Sequence, residues 1–291
     1  MADRVGGRES RGWEAMHASE MTRLAEGLLE VALAAARVQM AYFDAGVTVE
    51  RKADNSPVTA ADRQSEEIIL EALARLAPGV AVIAEEAVTA GRIPSIADTF
   101  FLVDPLDGTN SFIKGRTSFT INIALIEDRR PVFGLVYAPA LADFYVTLGP
   151  DEAANARVEP SATPRTLDEA GFAPIRTRVP DPNALFALVS QSHLTRATEH
   201  FLDGYHVIER RALASSLKFG LIARGEADLY PRVGPTSEWD TAAGHAVLAA
   251  AGGAVTMLDG APLLYGNADR GFENPDFVAW GRGPLARRRE T

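Results

Sequence analysis

The chain has 291 residues, of which 47% are hydrophobic and 23% charged, and carries a net charge of -10. Length and composition are those of a globular protein with room for two lobes, and the negative balance excludes a broad basic face for a nucleic-acid polymer. With no cysteine, disulfides, thiolate metal sites and a cysteine nucleophile are excluded, which suits a reducing cytoplasm.

Residues 1–18 are polar and charged, without the apolar core of a signal segment, and read as a flexible N-terminal extension. No stretch approaches the roughly 18 apolar residues of a membrane span. The best run, residues 246–255, contains two glycines. A peripheral association with the inner membrane would leave no readable mark.

Residues 14–44 predict a long helix, because Met21, Leu24, Leu28, Val31, Ala35, Val38 and Tyr42 recur at spacings of three and four. A short strand at 46–52 and a turn at 52–57 follow. A second helix starts behind Thr59, a plausible N-cap, with Asp62 three residues on. Asp62 fits an acid in a first helical turn as well as a ligand. Residues 80–84 predict a buried strand closed by Glu85-Glu86, and 88–98 a loop. Residues 100–103 predict another buried strand, closed by Asp104-Pro105-Leu106-Asp107-Gly108-Thr109. Strands at 119–126, 132–137 and 143–148 then make an antiparallel meander.

Residues 150–182 are rich in Pro, Ala and Asp and predict the boundary between lobes. Beyond it, short strands (185–190, 205–208, 227–230, 254–258) alternate with helices (195–202, 215–224, 241–251), an α/β pattern. The expected organisation is therefore an extension at 1–18, an α+β lobe over 19–150 and an α/β lobe over 151–291.

The acids at element ends, Asp62, Glu85, Asp104, Asp107 and Asp240, carry the chemistry. Clustered carboxylates without lysine partners repel one another, and hard divalent cations relieve that repulsion. Five acids suffice for two or three magnesium ions, which activate water and stabilise a leaving oxygen. Gly108-Thr109 adds backbone N–H groups for an anion, and the Thr109 hydroxyl can orient a water beside Glu85. The spacing thus points to a metal-dependent phosphatase. No strand is followed by Gly-x-Gly-x-x-Gly, which argues against a Rossmann-type nucleotide binder. A non-catalytic metal-binding module is the rival from another class.

Asp104-Pro105-Leu106-Asp107-Gly108-Thr109 and Trp239-Asp240-Thr241-Ala242-Ala243-Gly244 resemble the two signatures of the inositol monophosphatase superfamily, lithium-sensitive magnesium phosphatases. The Asp54-Asn55-Ser56-Pro57-Val58-Thr59, Ser215-Ser216-Leu217-Lys218-Phe219 and Leu229-Tyr230-Pro231-Arg232 stretches resemble its CysQ-type 3'(2'),5'-bisphosphate nucleotidase branch. The resemblance implies a layered α-β-α-β-α sugar-phosphatase fold with mixed and antiparallel sheets. It implies two to three Mg2+ held by Glu85, Asp104, the Leu106 carbonyl, Asp107 and Asp240, with Asp62 reaching a weaker ion through water. Glu85 and Thr109 would orient the attacking water, and Gly108, Thr109 and Asp240 would lie against the substrate. That substrate would be adenosine 3',5'-bisphosphate, cleaved to AMP, or its sulfated analogue PAPS, which places the protein in sulfur metabolism.

Lys218 with Ser216 is the candidate for the 5'-phosphate; otherwise Lys218 is a surface helix lysine. His193 either touches the nucleotide or is an exposed cap histidine. His245 reads as structural and Trp239 as packing. The pattern departs from the branch at Asn110-Ser111, where Lys-Glu is common. An inositol or sugar monophosphatase is the alternative activity. The resemblance allows a monomer or a homodimer.

Overall fold

Apolar runs in the first half pair into one sheet, with amphipathic helices on one face and helices buried almost all round on the other. The computed structural model describes residues 6–46, 49–51 and 57–287, with side chains from 19 to 46 and from 58 to 287. Most of the turn expected at 52–57 and the tip of the basic tail lie outside the described residues.

The chain begins with α1 (Gly6–Ala45), whose helical backbone starts inside the expected extension. A hairpin, β1 (Val49–Arg51) and β2 (Pro57–Thr59), leads to α2 (Ala60–Leu76), β3 (Ala81–Ala84) and α3 (Glu85–Thr89). Next come β4 (Thr99–Asp107), α4 (Thr109–Ile113), β5 (Thr120–Glu127), β6 (Arg130–Ala138) and β7 (Asp143–Gly149). Then follow β8 (Glu152–Arg157), α5 (Leu167–Ala170), β9 (Ala173–Ile175), β10 (Leu185–Ser190), α6 (Arg196–Asp203) and β11 (Val207–Leu213). The chain closes with α7 (Leu217–Ala223), β12 (Leu229–Arg232), α8 (Ala242–Ala250), β13 (Ala254–Met257) and β14 (Phe277–Trp280).

Strands β3 to β9 form a seven-stranded sheet in chain order, antiparallel except for the β3–β4 pair. This sheet runs through Ile175, so β8 and β9, beyond residue 150, belong to it. Its last strands were illegible because Glu152–Arg157 is mostly alanine and polar residues, without the β-branched alternation that marks a strand. The second sheet has the order β11-β10-β12-β14-β13, with β14 antiparallel to both its neighbours. The closing strand is thus β14, and not the strand expected at 254–258. At the other edge, β11 is solvent-exposed along most of its length.

Helices α1 and α2 pack on one face of the large sheet, α7 and α8 on the other, and α6 lies on the second sheet. The result is five layers, α-β-α-β-α: one apolar cluster joins α1 and α2 to the large sheet, a second runs from that sheet through α7 and α8 to the second sheet, and a third lies under α6. The buried stripe of α1 is Met21, Ala25, Leu28, Leu29, Ala32, Leu33, Ala35 and Ala36. Of the expected face, Met21, Leu28 and Ala35 are buried, and Leu24 and Val31 pack partly buried against the same cluster. Strand β6 and α8 meet at Gly134, where an added Cβ would stand 2.1 Å from the Ala243 carbonyl oxygen. Among the described residues, no helix is long and apolar enough to cross a membrane.

His245, on α8, has the structural place expected of it. Its Nδ1 lies 3.0 Å from the Tyr265 hydroxyl. Burial, with Arg130 nearby, pushes its imidazole down to about 3. A depressed histidine adds stability that is fully present above its unfolded value near 6.5 and is lost as pH falls below it. The residue is not fully enclosed, which limits the effect to about 1–2 kcal/mol by pH 5. Urea unfolding of His245→Gln against the parent at pH 7.5 and pH 5 is expected to show a smaller acid loss in the variant; equal losses would remove His245 as the cause.

Candidate active site

The two acids of β4 are three positions apart, which in a regular strand puts them on opposite faces. The register shows otherwise. Asp104 pairs with Asn122 and Asp107 with Thr120, so β4 spends one residue more than β5 between the two pairs. Pro105 and Leu106 form this bulge, where a residue without an N–H is tolerated. The extra residue returns Asp107 to the face of Asp104. Asp104 Oδ1 accepts the Leu106 N–H at 2.9 Å, which fixes the bulge from within.

Gly108 follows with φ +92, and a Cβ there would stand 3.1 Å from the Ser118 carbonyl oxygen. Left-handed backbone and tight space together require glycine. Thr109 then opens α4, whose first N–H groups have no partner within the helix. The Thr109 hydroxyl lies 3.1 Å from the Leu106 carbonyl oxygen and 3.1 Å from Asp62 Oδ1.

Asp62 is the first-turn acid that its sequence position allowed. Its Oδ2 accepts the Thr59 N–H at 2.8 Å and the Thr59 hydroxyl at 2.6 Å, completing a capping box on α2. Its other oxygen faces Thr109. Glu85 starts α3 at the carboxyl end of β3. The buried Glu66 of α2 holds that start by accepting the Glu86 N–H at 2.8 Å.

Asp240 arrives from the second lobe on a short 3-10 turn. Its Oδ2 accepts the Thr236 hydroxyl at 2.8 Å and the Ser237 N–H at 2.9 Å. The preceding acid, Glu238, is fully buried and accepts N–H groups from Gly266, Asn267 backbone and Asn267 side chain at 2.7, 2.9 and 2.6 Å. Trp239 is buried beside Phe272, in the packing role expected.

Glu85, Asp107, Gly108, Thr109 and Asp240 line one pocket, and Ser216, Lys218 and His193 line its other end. Asp104, Leu106 and Asp62 sit behind this lining. The expected residues therefore come together, with one difference in detail. The Ser216 N–H donates to Asp107 Oδ2 at 2.6 Å and its Oγ donates to Asn122 Oδ1 at 2.6 Å, so Ser216 is turned toward the first lobe. Lys218 is buried, not the surface lysine it might equally have been in sequence. Its Nζ donates to the Ser215 and Leu213 carbonyls and lies over the Tyr230 ring.

Arg232 was missed. It is 7% exposed, lines the pocket at the Lys218 end and donates to the Pro235 carbonyl through Nη2, while its Nε has no hydrogen-bond partner. The signal was available: Arg232 ends an apolar strand, as Asp104 does. Asn122 and Thr120 were read only as strand residues.

The electrostatics are two-ended. Burial raises Asp104 well above the carboxylate range, and Glu85, Asp107 and Asp240 push it further. Burial raises Asp107 to about 6, with Lys218 and the Ser216 N–H pulling back, and raises Asp240 to about 6 with Asp107 adding to it. Asp107 and Asp240 reach the solvent of the pocket whereas Asp104 is enclosed, so Asp104 bears the largest shift. At the other end burial lowers Lys218 to about 8 and lowers His193, with Arg232 and Lys218 adding to the second shift.

Among the described residues, no three histidine or acidic side chains converge into a ready metal-ligand set. The donors at the acidic end are all hard oxygens, and Asp104, Asp107 and Asp240 are each raised partly by acidic neighbours. That set fits magnesium, whose charge relieves the repulsion, better than a softer metal.

The inositol monophosphatase family model matches residues 18–281. A 3'(2'),5'-bisphosphate nucleotidase CysQ from Shigella flexneri is 41% identical over 229 residues, covering 79% of this chain and 87% of that protein. Its counterpart from Salmonella typhimurium is 39% identical over 254 residues, covering 87% and 97%. The crystal structure of CysQ from Bacteroides thetaiotaomicron, described as a bacterial member of the inositol monophosphatase family, superposes with a TM-score of 0.74 at 32% identity, covering 90% of this chain and 98% of that one. A match across nearly the whole chain, on a fold that carries both signature acids into one pocket, leaves one assignment: the chain belongs to the inositol monophosphatase family.

Proposed function

We propose that this chain is a magnesium-dependent 3'(2'),5'-bisphosphate nucleotidase that hydrolyses the 3'-phosphate of adenosine 3',5'-bisphosphate to AMP and phosphate, and also accepts PAPS. The observation that carries it is the two-ended pocket, with Glu85, Asp107 and Asp240 at one end and the buried cations Lys218 and Arg232 at the other. A substrate with one phosphate uses one end only. Family membership and the CysQ relatives support the same reading.

In this reading Glu85, Asp104, Asp107, Asp240 and the Leu106 carbonyl hold the ions, two to three in number, with Asp62 behind them. When bound, magnesium offsets the charge of carboxylates and phosphate and lowers the pKa of water. The chain supplies the orientation. The Thr109 hydroxyl, placed between Asp62 and the Leu106 carbonyl, and the Glu85 carboxylate aim the attacking water. The backbone N–H groups of Gly108 and Thr109 bind the scissile phosphate. Asp240 lies toward the leaving oxygen. Lys218 and Arg232, with Ser216 alongside, bind the 5'-phosphate, and neutral His193 packs on the nucleotide. The enzyme works in the cytoplasm, as a monomer or homodimer.

Phosphate release from adenosine 3',5'-bisphosphate and from inositol 1-phosphate, with Mg2+ and with or without Li+, tests the assignment. Faster turnover of the nucleotide, inhibited by lithium, is expected; equal or faster turnover of the inositol ester would replace it with an inositol monophosphatase. Lys218→Met is expected to raise KM for the bisphosphate by about thirtyfold or more, as loss of a charge-assisted contact of about 2 kcal/mol requires. Steady-state kinetics showing an unchanged KM would remove Lys218 from the substrate site.

A further inference from the structure

The second lobe reaches the acidic end of the first through Ser216. Besides its bonds to Asp107 and Asn122, the Ser216 Oγ lies 2.9 Å from the Thr120 hydroxyl, and Asn122 Nδ2 stands 3.4 Å from the same Asp107 oxygen. Thr120, Asn122 and Ser216 are all almost completely buried. Buried polar groups cost stability unless paired, and a fully paired set specifies one arrangement of the parts it joins. Here it specifies how the start of α7 docks on β5.

The residue before this contact is under strain. Ser215 has φ +58, a left-handed backbone on a residue that is not glycine. Such conformations persist only where the surroundings hold them, and they gather at ligand sites. The Ser215 carbonyl accepts the Lys218 Nζ at 2.5 Å. One strained turn, residues 215–218, therefore fastens both the cation at one end of the pocket and the carboxylate at the other.

We propose that Asn122 and Thr120 are positioning residues that couple occupancy of the Lys218 end to the orientation of Asp107, so that a second phosphate raises turnover as well as binding. The proposal rests on the nucleotidase reading above. An anion beside Lys218 and Arg232 neutralises two buried charges and fixes the turn. Ser216 passes that constraint to Asp107 through its N–H, while Asn122 and Thr120 hold Ser216 in register. A 3'-monophosphate leaves Lys218 and Arg232 without that anion, and the turn without its added constraint. Binding energy from a remote group then appears in kcat.

The test compares kcat and KM for adenosine 3',5'-bisphosphate and adenosine 3'-monophosphate in the parent, Asn122→Leu, Thr120→Val and the hydroxyl-retaining Thr120→Ser. Circular dichroism and thermal midpoints report folding, and isosteric Thr120→Val carries the test if Asn122→Leu misfolds. The parent is expected to turn over the bisphosphate faster. In Asn122→Leu and Thr120→Val the kcat ratio of bisphosphate to monophosphate is expected to fall about tenfold, with KM for the bisphosphate within about threefold of the parent and the ratio retained in Thr120→Ser. Equal losses on both substrates, a change confined to KM, or a parent with equal kcat on the two would overturn the coupling. A parent that cleaves inositol 1-phosphate and neither nucleotide overturns the nucleotidase reading itself, before any variant is made.

Discussion

Asp107→Asn is expected to abolish magnesium-dependent phosphate release, by at least about a thousandfold, while making the metal-free protein more stable. The two effects share one cause. Asn has the shape of Asp, and its amide oxygen can still accept the Ser216 N–H that Asp107 accepts at 2.6 Å. What it lacks is charge. Burial pushes the Asp107 carboxyl up to about 6, so without a cation its ionised form is a cost to the fold. For an acid whose folded value lies above its unfolded one, that cost is absent below about pH 4, grows as pH rises toward 6, and is constant above. Solvent in the pocket limits it to about 1 kcal/mol. In excess chelator at pH 7.5 the variant should therefore melt above the parent by a few degrees. Added magnesium should raise the parent's midpoint and barely move the variant's. Retained activity, or a lower midpoint in chelator, would make Asp107 a structural acid.

Gly134→Ala should cost about 3 kcal/mol of stability and most of the activity with it. The methyl group would stand 2.1 Å from the Ala243 carbonyl oxygen and 2.9 Å from the Ala246 Cβ. Neither neighbour is the flexible end of a side chain, so α8 must lift from the large sheet. That helix directly follows the turn carrying Asp240. Gly79→Ala is the informative comparison, since Gly79 has φ +86 but open space around it. Its cost is backbone strain alone, about 1 kcal/mol. Denaturant unfolding should separate the two variants by about 2 kcal/mol, and phosphatase activity should survive only in Gly79→Ala; equal costs would show that the sheet and α8 part more easily than their contact implies.

The ends of β3 and β4 were legible because an apolar run closed by acids is a local signal. Asp62 was legible as part of a cap because a capping box spans only four consecutive residues. What brings Asp104 and Asp107 to one face was not: a bulge is a property of the register between two strands, and one strand's sequence does not carry it. Asn122 went unremarked for the same reason, since its meaning comes from Ser216, far along the chain, whereas Arg232, at the end of an apolar strand, carried a local signal. Strands β8 and β9 were not legible because they are held by pairing to the large sheet and not by their own propensity. The four-residue run Phe277–Trp280 was too short to declare its place between β12 and β13.

The exposed strand β11 borders the second sheet with an outer row of backbone groups that another chain could extend. Glu209, Arg210 and Arg211 stand out from it, so an approaching strand must strip water from charge before it can pair. This gives the protein a guarded edge: its tolerance of high concentration depends less on the core than on a few surface charges that take no part in catalysis.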